Sequence, residues 1–161
     1  MNDKYQTRKG IRLKEYDYSQ AGYYYITVCV KEMQQKLGSV VGAATCCPYV
    51  ELTEIGRVAE TSITKIPQVH SAATVDKYVI MPNHLHMILV IGNGGGRQVA
   101  APTVQTIIAG MKRAVSLECG LPIWQKSFHD RIIRDEVEYE NAWKYIDENP
   151  LKWVDDKYDR T

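Results

Sequence analysis

The sequence predicts an α+β fold, a ferredoxin-like βαββαβ sandwich with an antiparallel sheet, helices on one face and an extra C-terminal helix. Three observations point to it: the order of strand-like and helix-like segments, two strands close enough to form a hairpin, and apolar stripes of helical period between strands. With 161 residues, 45% hydrophobic and 24% charged, the chain is expected to form a single domain spanning residues 1–161.

Residues 1–20 read as a basic arm carrying Lys4, Arg8, Lys9, Arg12 and Lys14. After a Ser-Gln-Ala-Gly turn, Tyr23 to Val30 (YYYITVCV) combine β-branched and aromatic residues and predict the first strand. Residues 38–51 contain Gly38, Gly42 and Pro48 and predict a loop or hairpin, with a short strand at Tyr49 to Leu52. Thr53 caps a helix to about Ile66, carrying Ile55, Val58, Ala59 and Ser62 at helical spacing, and Pro67 ends it. Thr74 to Met81 and His84 to Ile91 follow as an antiparallel hairpin through Pro82 and Asn83. Residues 92–102 form a flexible glycine-rich loop, which lacks the lysine and spacing of a phosphate cradle. Pro102 sits where the first turn of a helix should begin, and that helix, roughly Thr103 to Glu118, carries Val104, Ile107, Ile108, Met111 and Val115 on one side with Gly120 as its stop. A last strand is expected around Ser127 to Ile133. A helix from Asp135 to about Glu148 closes at Asn149-Pro150.

No segment approaches the ~20 uninterrupted apolar residues of a membrane-spanning helix. The charged opening lacks the apolar run of a secretory signal, so a soluble, cytoplasmic protein is expected. Cys29, Cys46, Cys47 and Cys119 show neither Cys-x-x-Cys nor zinc-finger spacing and read as reduced structural thiols, with a redox or metal role for the adjacent Cys46 and Cys47 as the alternative. The net charge is +1, but the beginning is basic and the end acidic. Such an arm suits phosphate contacts or a solvated tail equally. Eleven tyrosines against one phenylalanine suit stacking on nucleotide bases, and also half-buried strands.

The stretch YVIMPNHLHMILVI places two histidines in an apolar strand. Residues two apart share a face, so His84, His86, Ile88 and Val90 point one way and Leu85, Met87, Leu89 and Ile91 the other. Two imidazoles at this spacing can grip one divalent ion. By spacing alone, hydrogen-bonded strand-end histidines are the commoner outcome. On the last helix, Tyr139, Trp143 and Ile146 form the expected core stripe. Tyr145 falls about 130° from its centre at 100° per residue, on a flank with Glu138, Ala142 and Asn149. Tyr145 is therefore not needed by the core. Asn149 lies beside it one turn on, or simply ends the helix before Pro150.

These residues resemble a specific family. MPNHLH and the later run WQKSFHDRIIRDEVEYENAWKYIDENPLKW are similar to the single-tyrosine transposases of the HUH endonuclease superfamily, closest to the REP-associated tyrosine transposases and their insertion-sequence relatives. IRLKEYDYSQAGYYYITVCV and APTVQTIIAGMKRAVS extend the resemblance over nearly the whole chain. It implies a metal-dependent endonuclease and strand transferase acting on single-stranded DNA at hairpins or repeats. His84 and His86 fall on the HUH motif and would bind Mg²⁺ or Mn²⁺; Tyr145, in its Tyr-Ile-x-x-Asn-Pro context, matches the nucleophile; Asn149 falls where relatives complete the metal site. His129 is the rival third ligand, and His70 reads as a surface or strand residue. Relatives often carry an acid followed by histidine where this chain has Asp130 and Arg131. Arg12, Lys14, Lys112, Arg113, Arg131 and Arg134 are the expected DNA contacts. A monomer or homodimer is implied, since some insertion-sequence relatives donate the tyrosine helix between subunits. The alternative is a hairpin-DNA-binding protein of the same fold that transposes nothing.

Overall fold

The computed structural model describes residues 20–42, 47–92 and 102–153, so Arg12, Lys14, the rest of the basic arm and most of the glycine-rich loop lie outside the described residues. The strands are β1 (Gly22–Cys29), β2 (Gly38–Val41), β3 (Tyr49–Leu52), β4 (Ala73–Ile80), β5 (His84–Ile91) and β6 (His129–Ile133). The helices are α1 (Glu54–Thr64), α2 (Ile66–Val69), α3 (Val104–Glu118) and α4 (Glu136–Glu148). Four strands form one antiparallel sheet in the order β4-β5-β1-β6, and β2 and β3 pair as a separate hairpin. The expected α+β sandwich is therefore present, with the short hairpin inserted between its first strand and first helix.

The alternation read in β5 sets both faces of the sheet. Leu85, Met87, Leu89 and Ile91 join Tyr24, Ile26 and Val28 of β1 in the main core against α1 and α3. Ile88 faces the other side, where Ile133, Ala142 and Ile146 form a smaller cluster beneath α4. So α1 and α3 cover one face, and the extra helix α4 covers the opposite one. Burying Leu85, Met87 and Leu89 contributes about 1.5–3 kcal/mol each, and a slip of one residue would forfeit this while pushing both histidines into the main core.

Thr53 caps α1 as expected, and Thr103 and Asp135 cap α3 and α4. The Thr53 hydroxyl accepts from Gly56 N at 3.1 Å, Thr103 from Thr106 N at 3.2 Å, and the Asp135 carboxylate from Glu138 N at 2.8 Å. One boundary differs: α1 ends at Thr64, and Pro67 sits in the first turn of α2 instead of terminating α1. Proline has no N–H to offer the carbonyl of Ile63, so the ladder breaks before it, while a first helical turn tolerates it.

Leu37 ties the inserted hairpin to the turn before the histidines. Its N–H donates to Pro82 O at 2.9 Å, and its carbonyl accepts from Thr53 N at 3.0 Å. Gly56 makes room for the backbone of Leu37, since a Cβ there would collide with Leu37 O. Gly56→Ala gains about 1 kcal/mol of helix propensity but meets backbone that cannot yield. A net destabilisation of about 1–3 kcal/mol is expected, read as a lower urea midpoint; an unchanged or higher midpoint would contradict the close approach.

Candidate active site

The site is built from rows across the sheet. His86 of β5 lies opposite Thr27 of β1, which lies opposite His129 of β6; one row on come Ile88, Tyr25 and Arg131. At the hairpin, Met81 N donates to His84 O at 2.8 Å, closing the Pro82-Asn83 turn. This puts the Asn83 side chain against its neighbour, with His84 Nδ1 2.7 Å from Asn83 Oδ1. His86 Nδ1 is 2.8 Å from Thr27 Oγ1. Both histidines are buried, and their ring centroids are 4.6 Å apart.

Tyr145 reaches His86 from α4. Its ring stands edge-on to His86 at 5.4 Å and to Tyr25 at 6.3 Å, while Tyr25 stacks on His86 at 5.3 Å. Tyr145 is 38% exposed, so a macromolecular substrate can reach it. A groove of about 540 Å³ opens here, lined by Tyr25, Thr27, His86, His129, Arg131 and Tyr145 among others. The Arg131 guanidinium lies 5.7 Å from the Tyr25 ring centroid. His84 does not line this groove. It is covered by Trp153, whose ring stacks nearly parallel at 6.2 Å.

Asn149 caps the C-terminal end of α4 between Tyr145 and Trp153, and it is 1% exposed. Neither its amide oxygen nor its nitrogen has a hydrogen-bond partner among the described residues. Burying such a group without a partner costs roughly 1–3 kcal/mol, which is out of place for a residue that merely ends a helix. Two imidazoles together with an amide oxygen are a donor set that suits a divalent cation with open positions. No group of three or more His, Cys, Asp or Glu side chains able to hold an ion gathers among the described residues. His129, the rival third ligand, therefore does not join the pair; it stands exposed on β6, across Thr27 from His86.

The other expected contacts divide. Arg131 is in the groove, and Arg134 lies beside Tyr23 and Tyr139 in a neighbouring depression. Lys112 and Arg113 are on α3, across the sheet. The Lys112 ammonium is half-buried and donates to the carbonyls of Gln125 at 2.6 Å and Lys126 at 3.2 Å, so it braces the loop before β6. Burial lowers its pKa, and the nearby Cys29 works against that.

The stripe on α4 is rotated from the expected one. Ala142, Ile146 and Asn149 are buried, whereas Trp143 is 40% exposed. The small side chain of Ala142 lets the helix approach the sheet, and Trp143 is displaced to the rim, where Lys77 Nζ lies 3.7 Å from its ring centroid. A bulge between Val75 and Lys77 explains the partner. It turns both Asp76 and Lys77 towards α4. Lys77 also donates to Asp147 Oδ1 at 2.7 Å, and the Tyr139 hydroxyl donates to Asp76 Oδ2 at 2.5 Å. Thr27, Tyr25 and Trp153 were not among the expected site residues. Strand register and chain reversal bring them in, and neither is written in local spacing.

No family model matches the chain. An uncharacterized protein of Haemophilus influenzae is 28% identical over 170 residues, covering 93% of this chain and 92% of that one. Among solved structures, a REP-associated tyrosine transposase bound to a REP hairpin superposes with a TM-score of 0.64 at 23% identity, over 88% of this chain and 74% of the other. A candidate transposase from Deinococcus radiodurans R1 gives 0.49 at 13% identity, over 85% and 95%, and is too distant to argue from. The chain thus has the fold of a tyrosine transposase, in keeping with the resemblance read in its sequence. No helix among the described residues is long and apolar enough to cross a membrane.

The hydrogen bond to Asp76, then burial and the Asp76 charge, push the Tyr139 phenol from 10.0 up to about 12. A folded-state pKa above the unfolded one means the stabilisation is complete below the unfolded value and is lost as pH rises through the folded one. The stability difference between wild type and Tyr139→Phe, about 1 kcal/mol, is expected to hold up to pH 10 and vanish towards pH 12, as measured by urea unfolding across that range. A difference independent of pH would rule out the Tyr139–Asp76 pair as its source.

Proposed function

We propose that this chain is a metal-dependent single-stranded DNA endonuclease and strand transferase, a single-tyrosine transposase of the HUH type, with Tyr145 as nucleophile. The observation that supports it most is Tyr145 standing edge-on to His86 at an open groove, 5.4 Å between ring centroids. Tyr139 is the poorer candidate, because its hydroxyl is committed to Asp76 and is harder to ionise. The partner would be hairpin or repeat DNA, the kind of ligand held by the solved structure that shares this fold.

His84, His86 and the Asn149 amide oxygen would hold Mg²⁺ or Mn²⁺. When bound, the ion supplies polarisation of the scissile phosphate and stabilises the negative charge that builds on it. Tyr145 Oη attacks phosphorus as the bond from phosphorus to the 3′-oxygen breaks, giving a 5′-phosphotyrosyl link. The phenolic proton ends, in net terms, on the departing 3′-oxygen. One phosphodiester bond has been exchanged for another, so a second 3′-hydroxyl reverses the step and joins strands without ATP. Tyr25 offers a flat face and Arg131 a cation at the same groove, suited to a base and a phosphate of one strand. Arg134 extends the cationic edge. Since α4 packs on its own sheet, the nucleophile and the histidines would act within one chain.

Incubation with labelled single-stranded hairpin DNA and Mn²⁺ is expected to give a covalent adduct on a denaturing gel. Tyr145→Phe abolishes it, and His86→Ala reduces it at least about 100-fold. DNA binding in a native gel with no adduct would instead favour the hairpin-binding, non-transposing alternative. An undiminished adduct in Tyr145→Phe would exclude Tyr145 as the nucleophile.

A further inference from the structure

We infer that Thr27 and Asn83 are positioning residues that set which ring nitrogen of His86 and of His84 is offered to a divalent cation. The inference rests on the metal-site reading above and deepens it. Thr27 and Asn83 are both buried, at 4% and 0% exposure, and each makes its contact at Nδ1 and not at Nε2. The Asn83 Oδ1 atom can only accept, so His84 Nδ1 carries the proton and its lone pair sits on Nε2.

At His86 the hydroxyl of Thr27 could donate or accept. The Thr27 hydroxyl occupies His86 Nδ1, so an ion held by both rings would be met by His86 only through a lone pair on Nε2. Thr27 therefore accepts from His86 Nδ1–H. Neutral histidine left to itself prefers the opposite tautomer, with its proton on Nε2, so both hydrogen bonds override an intrinsic preference. They also fix the two ring planes, which stand 69° apart. Outer partners of this kind typically change metal affinity by about 10- to 100-fold when removed.

The turn and the strand register supply these two contacts by different routes. Asn83 reaches its own chain neighbour because the Pro82-Asn83 turn folds back on itself, whereas Thr27 reaches His86 only because β1 and β5 pair in that register. Loss of one contact should therefore leave the other intact.

Two measurements test this. Nitrogen-15 NMR of the metal-free protein, at a pH where the imidazoles are neutral, is expected to show Nδ1-protonated rings at both positions. Thr27→Val, nearly isosteric, releases His86 to a mixture while leaving His84 unchanged, and Thr27→Ser restores the wild-type signature. Calorimetric titration with Mn²⁺ is expected to show about 10- to 100-fold weaker binding by Thr27→Val and near-normal binding by Thr27→Ser. An Nε2-protonated His86 in wild type, or equal Mn²⁺ binding by wild type and Thr27→Val while His86→Ala binds poorly, overturns the role of Thr27 and leaves the metal site standing. Equal binding by wild type and His86→Ala removes the metal site itself, and this inference with it.

Discussion

The antiparallel pairing of β1 with β5 is the constraint on which everything else in this molecule hangs. Gly22 pairs with Ile91 and Cys29 with His84, without a break between them. One face of that ribbon contributes the apolar residues of the main core, and the other presents Tyr25, Thr27, His84 and His86 together. The histidines therefore need no local stabilisation of their own to face α4. They are held there by the burial of leucine, methionine and isoleucine on the reverse side, which only this register allows.

The two faces are unequal. The main core under α1 and α3 is large, whereas the apolar contact beneath α4 rests on Ile88, Ile133, Ala142 and Ile146. Polar contacts at the rim make up part of the difference: Lys77 with Asp147 and Trp143, and Asp76 with Tyr139. The residue proposed to attack DNA thus rides on the helix with the smaller buried apolar footing, while the histidines belong to the most buried strand.

Much of this was legible in the sequence. The His-Leu-His alternation gave the correct face, because the period of a strand is two and its apolar partners were unambiguous. The Thr53 cap announced α1, and helical spacing between Pro102 and Gly120 announced α3. The core stripe of α4 was misjudged, because Trp143 is apolar by composition but too large to sit where Ala142 can approach the sheet. The bulge at Asp76, which decides where that tryptophan goes, leaves no mark in a run of strand residues. Thr27 and Tyr25 reach the histidines only through the pairing of distant strands. Lys112 looked like a free cation on an exposed helix, and only the return of the chain through Gln125 and Lys126 shows its ammonium spent on carbonyl oxygens.

The stacking of Trp153 on His84 also gives the protein an optical property. Indole emission depends on what the ring touches, so the light from Trp153 reports on the surroundings of His84. Trp143, paired with Lys77 at the rim of α4, emits from a different environment and follows the seating of that helix on the sheet. Of the chain's three tryptophans, one thus lies beside the histidine pair and one on the helix that bears Tyr145, while Trp124 sits in the main core away from both.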